Sequence, residues 1–245
     1  MSSSRLAQGL PMFRPLQRLL SRATLACALG AMVLALAIPA RAEEEQALID
    51  RARITVEGFT AQTDMVEMRR LLAKARGVFV APQLLKAGFI IGGEGGSGLL
   101  LARNTQTDEW SPPAFYAMGA GSIGLQIGGE VSELMLVIMT QRGLEAILKN
   151  EFKAGADASI AIGPIGKGIE AGSTTDLNTD IYAFSRSQGL FGGVSLEGAV
   201  ITARYSRNQS YYGKNVPSRD IVLGNAVDGR GTLGLRQALK AAEQR

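Results

Sequence analysis

No histidine occurs among the 245 residues, and the single cysteine, Cys27, lies within the first 42. Catalysis by Ser-His-Asp or Cys-His constellations, zinc held by imidazole or thiolate, and haem with a histidine ligand are thereby excluded. Beyond residue 42 the chain can form no disulfide, so its fold rests on an apolar core. Aromatic residues make up only 6% of the chain, too few for the girdles of an outer-membrane barrel. The apolar stretch Ala23–Ile38 is shorter than the roughly 20 residues that a spanning helix needs.

That stretch has another reading. Arg14, Arg18 and Arg22 precede it and Ala40-Arg41-Ala42 follows it, which is the layout of an export signal with a small-residue cleavage site. Residues 1–42 are therefore expected to be removed, leaving a chain that begins at Glu43 and resides in the periplasm or outside the cell. This changes the charge argument. Of the 26 lysines and arginines five lie in residues 1–42, which hold no acid, so 21 remain against 22 acidic residues. No basic surplus is left to suggest nucleic acid as a partner.

Glycine is what the chain has in abundance. Ile91 begins IGGEGGSGLLLAR, Ile127 begins IGGEVSELMLVIMT and Phe191 begins FGGVSLEGAVITAR. A phosphate loop would require a lysine and a hydroxyl after Gly98, where Leu99 and Leu100 stand instead. Gly93, Gly95 and Gly98 fit a dinucleotide fingerprint only if a helix follows, whereas LLLAR running into NTQTDEW reads as a strand and a polar turn. The doublets Gly92-Gly93, Gly128-Gly129 and Gly192-Gly193 read as structural positions, bends or close approaches in a curved sheet. Asp176-Leu177-Asn178-Thr179-Asp180 opens like a calcium loop, but Ile181 and Ser187 occupy the positions that need glycine and glutamate, so it reads as a polar turn. No metal site or cofactor is expected, and Asn208-Gln209-Ser210 reads as another polar turn.

Helical periodicity places Leu48, Ile49, Ala52, Val56 and Phe59 on one face of a helix over residues 44–60, and Met65, Met68, Leu71, Leu72 and Ala75 on one face of a second over 63–75. From Val78 to about Tyr212 the texture is that of short strands, interrupted by a helix over Arg142–Asn150. A short helix after Pro217-Ser218 and another over 232–244 close the chain. The pattern predicts an α+β fold, a curved, mostly antiparallel, glycine-rich β-sheet or partial barrel with N-terminal and C-terminal helices packed on it. Residues 43–245 are expected to form a single domain.

The segments ARGVFVAPQLLKAGFIIGGEGGSGLLLAR, WSPPAFYAMGAGSIGLQIGGEVSELMLVIMT and SQGLFGGVSLEGAVITARYSRNQSYYG resemble the SYLF domain family, over roughly residues 46–224. The resemblance implies a noncatalytic module. Eukaryotic members bind phosphoinositides at membranes and fungal members also bind actin, often beside an SH3 or FYVE domain. Bacterial members are similar to this chain in consisting of an export signal and the domain, a setting in which actin is not the expected partner. Lys86, Arg103 and Glu130 fall inside matching motifs.

One local feature of charge accords with lipid. Between Met68 and Gly93 every charge is positive: Arg69, Arg70, Lys74, Arg76 and Lys86. Near an anionic bilayer each could contribute about 1 kcal/mol of attraction. The first helix is a poorer candidate, since Glu43, Glu44, Glu45, Asp50 and Glu57 outweigh Arg51 and Arg53. The expected partner is accordingly an anionic lipid headgroup or membrane surface. A scaffolding domain whose exposed sheet edge or apolar groove recruits an envelope protein is the alternative, and a hydrolase working with carboxylates alone is the remaining class.

Overall fold

Apolar periodicity at the start of the chain is realised as helix α1 (43–61), and the same five residues that define the stripe, Leu48, Ile49, Ala52, Val56 and Phe59, are buried. The computed structural model describes residues 43–88, 91–123, 128–163, 179–188, 196, 198–224 and 226–244. The expected export signal, Gly192, Gly193 and the start of the calcium-like run lie outside them. Helix α2 (Val66–Leu72) is shorter than its periodicity predicts, ending in a turn at Ala73-Lys74, and buries Met68 and Leu72.

A nine-stranded sheet follows. Its strands are β1 (Gly77–Gly88), β2 (Ile91–Asn104), β3 (Glu109–Trp110), β4 (Ala114–Ile123), β5 (Gly128–Ile138), β6 (Glu151–Lys153), β7 (Ile160–Ile162), β8 (Ile181–Gln188) and β9 (Val200–Ala203). Their order is β6-β9-β4-β2-β1-β5-β8-β7, with β3 pairing on β2. All pairs are antiparallel except β7 with β8, and the sheet curls into a half-barrel. Helix α3 (Gln141–Ile147) interrupts the strands, and α4 (Tyr205–Tyr212), α5 (Ser218–Val222) and α6 (Leu233–Ala242) follow them. This is the α+β architecture expected from the sequence.

Each half of the apolar alternation has its own core. Phe79, Leu84, Leu100, Tyr116, Leu134 and Leu136 pack with α3, α5, β6 and β9 on one face. Val78, Val80, Leu99, Leu101, Met135 and Val137 pack beneath α1, α2 and α6 on the other. A sheet covered on both sides explains why LMLVI in β5 is apolar without alternation. Residues 205–212 correct the expectation of strand-like structure as far as Tyr212. They form helix α4, ended by Gly213 in the left-handed conformation. Asn208 is buried there: its Oδ1 accepts the Phe115 N–H at 2.8 Å and its Nδ2 donates to Ser218 Oγ at 3.2 Å, so it is a structural bracket and not a surface turn.

In β2 the crowding falls on Gly96 and Gly98 and not on Gly93. Strand β1 shifts register against β2 between Val80 and Gln83, where Pro82 removes a ladder donor. The bulge drives the Gln83 carbonyl against Gly96, and the ring of Phe79 lies against Gly98, so a side chain at either would collide. An added Cβ at Gly93 or Gly129 would meet a carbonyl oxygen only at 3.9 Å. Neither residue has a positive φ. Close backbone approach therefore belongs to Gly96 and close ring packing to Gly98, while Gly92, Gly93, Gly128 and Gly129 sit in regular ladders opposite Gly88 and Ala87.

Candidate functional site

The five basic residues singled out by the sequence divide into three roles. Arg69 projects from α2 back to the end of α1, where it donates to Thr60 O at 3.1 Å and Gln62 O at 2.9 Å. Those carbonyls lie at the end of a helix and want donors, so Arg69 is a joint between helices.

Arg70, Lys74 and Arg76 are exposed. Arg70 makes an i,i+3 contact with Glu67 at 3.4 Å, its side chain remaining 73% exposed, a geometry that holds neither partner firmly. Arg70 and Lys74 line an open groove of about 700 Å³ together with Val66, Leu71 and Glu243. The side chain of Arg76 has no partner among the described residues, although its backbone is fixed: its N–H donates to Ile138 O at 2.7 Å and its carbonyl accepts the Arg103 N–H at 2.9 Å.

Lys86 lies elsewhere. It stands between Glu94 on β2 and Glu130 on β5 in register, on the sheet face of Leu84. Both carboxylates are buried, Glu94 accepts from Ser132 Oγ at 3.2 Å, and Glu130 Oε2 has no hydrogen-bond partner among the described residues. Burial raises the Glu94 carboxyl above its ordinary value. Ser132 and the charge of Lys86 work against that, and Glu130 adds to it. Half-buried Lys86 thus lies in register with two buried acids, apart from the other cations.

A hub that the sequence did not disclose supports the exposed basic edge. Glu243, just beyond α6, accepts from Trp110 Nε1 at 2.6 Å, Arg103 at 3.1 Å and Lys240 at 3.0 Å. Arg103 also donates to Ala73 O at the end of α2 and pairs with Asp108, which Lys240 contacts too. The Lys240 hydrogen bond, assisted by Arg103, lowers the Asp108 carboxyl. Contacts that span up to 140 positions leave no local pattern to read, although Arg103 itself falls in a motif noted above. Among the described residues no cluster of acidic side chains is arranged to hold a metal ion, and no helix is long and apolar enough to cross a membrane.

Comparison with known proteins matches this architecture to a family. The model of the Ysc84 family, described as Las17-binding protein actin regulator, covers residues 119–242, from β4 to the end of α6. The SH3 domain-containing YSC84-like protein 1 of Rattus norvegicus is 32% identical over 163 residues, 66% of this chain and 47% of the relative. Its Homo sapiens counterpart is 31% identical with the same shares. LAS seventeen-binding protein 3 of Saccharomyces cerevisiae is 32% identical over 164 residues, 66% of this chain and 35% of the relative. The chain thus spans about half the length of the animal relatives and about a third of the yeast protein. With half its length under one family model, the chain belongs to the Ysc84, or SYLF, family.

Proposed function

We propose that the domain is a noncatalytic binding module that docks on anionic lipid of the cell envelope through the edge formed by Arg70, Lys74 and Arg76, after export directed by residues 1–42. The observation that carries this reading is that three cations from one short stretch are exposed, while of the acids beside them Glu67 is loosely engaged and Glu243 is taken up by Trp110, Arg103 and Lys240. Near a negatively charged surface each adds about 1 kcal/mol of attraction. Helix α1 is no rival, because its apolar stripe is buried under α2 and the sheet and its charge is net negative. In this setting actin and nucleic acid are not proposed as partners, and no cofactor is needed.

A second reading has its own observation. Leu85 and Val131, 56% and 39% exposed, are register neighbours on β1 and β5, and beside them lie the exposed Gly93, Gly119, Gly121 and Gly129. A bare apolar sheet face of this kind suits an envelope protein partner, and the yeast relative is by name a protein-binding protein. Sedimentation with anionic and neutral vesicles separates the two. Lipid docking puts the protein in the pellet with anionic vesicles only, whereas a scaffold stays in the supernatant with both. For export, intact-mass measurement on protein recovered outside the cytoplasm is expected to give a chain starting at Glu43, and a retained residue 1 to 42 segment would contradict it.

A further inference from the structure

Strands β2 and β5 do not pair, because β1 runs between them. Glu94 of β2 nevertheless accepts from Ser132 Oγ of β5 at 3.2 Å, so its side chain crosses over β1. Register partners in an antiparallel ladder share a face, as do alternate residues along one strand. Lys86 of β1 stands opposite both Glu94 and Glu130, and Leu84 stands opposite Ser132. The crossing therefore sets the Glu94 carboxyl beside Glu130, which neighbours Ser132 on the same face of β5. We infer that Glu94 holds a proton and donates it to the open oxygen of Glu130, a latch that ties β2 to β5 across β1 and opens when that proton is lost to water.

Glu130 Oε2 is what calls for a donor. Glu130 is only 6% exposed, and this oxygen has no hydrogen-bond partner among the described residues. An ionised carboxylate accepts and cannot donate, so two ionised acids side by side leave the oxygen unsatisfied and repel each other. One proton on Glu94 removes a buried charge and supplies the missing O–H. With Glu94 neutral, the negative Glu130 is matched by the positive Lys86. Few other groups face Glu94: uncharged Ser132 on β5 and its register partner Ala120 on β4. Burial raises its carboxyl, against the opposing effects of Ser132 and Lys86, and Glu130 raises it further.

The folded state thus binds this proton more tightly than the unfolded chain does, so the latch is closed at low pH and opens as pH rises through the raised value. Opening leaves two buried negative charges against one half-buried lysine. The same strand ends present Leu85 and Val131 on their opposite face, so the latch couples proton concentration to the order of that apolar surface.

Nuclear magnetic resonance of glutamate labelled at the side-chain carboxyl, each signal assigned through its own backbone amide, reads the latch in the parent protein. The Glu94 carboxyl is expected to titrate above the ordinary glutamate value of about 4.3. Glu130→Gln removes the neighbouring charge and is expected to bring that titration down, whereas Ser132→Ala removes a donor to the charged form and is expected to push it up. Hydrogen exchange reads the opening. Relative to α1, residues 94–97 and 130–134 are expected to lose protection as pH rises, by about tenfold for each unit by which the carboxyl is raised. Glu94→Gln, whose amide gives Glu130 a permanent donor, is expected to keep that protection at every pH. An ordinary Glu94 titration, or a raised one that Glu130→Gln leaves in place, overturns the latch whether or not Glu94→Gln folds. A pH-dependent loss of protection that persists in Glu94→Gln also overturns it.

Discussion

Gly98 pairs with Tyr116 in the β2–β4 ladder, and a methyl group on it would enter the ring of the fully buried Phe79. Replacing Gly98 with alanine should cost about 1–3 kcal/mol, the usual penalty for overpacking a closed core. The same change at Gly93, where the nearest carbonyl is 3.9 Å from the added carbon, should stay within about 0.5 kcal/mol. Urea unfolding of the two variants checks the contrast, and equal losses would mean that the doublets also carry a constraint. Charge at the residue scale is tested by Lys86. Because Glu94 is raised on folding, the native state binds its proton more tightly, and stability falls as pH rises from about 4.5 through the raised value. Lys86→Gln removes the opposing cation, so it should destabilise the fold by up to about 1 kcal/mol at neutral pH and less near pH 4. A loss that does not depend on pH would contradict the charge-balancing role.

Asp180 behaves in the opposite sense and ties elements together. Burial favours its neutral form, but Arg142, Thr140 and Ser159 together outweigh that and hold its carboxyl well below the usual range. It accepts from Arg142 Nε at 3.0 Å and Nη2 at 2.7 Å and from Ser159 N at 3.0 Å, joining α3, β7 and β8. A depressed carboxyl contributes stability that is complete above the unfolded value, about 3.9, and is lost as pH falls through and below it. Asp180→Asn should therefore cost about 2 kcal/mol at pH 7, discounted for the exposed Arg142, with the gap to the parent closing in acid. Melting curves at both pH values would show it. The sequence showed Asp180 only as the last residue of a polar run, because its partners lie 21 to 40 positions away. Elements whose cause is local were legible: α1 from its apolar period, α3 and α6 within a few residues, and β2 from the absence of a helix after Gly98. Helix α4 was not, because YSRNQSYY has no apolar stripe and is held by the buried bracket of Asn208, although Gly213 marked its end.

At the scale of the whole molecule, helices pack on both faces of the sheet, and Arg70, Lys74 and Arg76 are exposed close together in the sequence where α2 runs into β1. The sequence identified the basic stretch but could not sort it, since linear spacing does not tell which side of a bulged strand a lysine takes. Arg69 went to a helix joint, Lys86 to a half-buried position in register with two acids, and Arg70, Lys74 and Arg76 to the surface. The measurement that tests this account most directly is cosedimentation with anionic vesicles, comparing the parent with the triple variant Arg70→Gln, Lys74→Gln, Arg76→Gln across a salt series. Losing three contributions of about 1 kcal/mol each should lower the affinity roughly a hundredfold at low salt, and raising the salt on the parent should reproduce the loss by screening. Binding indifferent to both the substitutions and the salt would contradict the account and move recognition to the apolar glycine-lined face of the sheet.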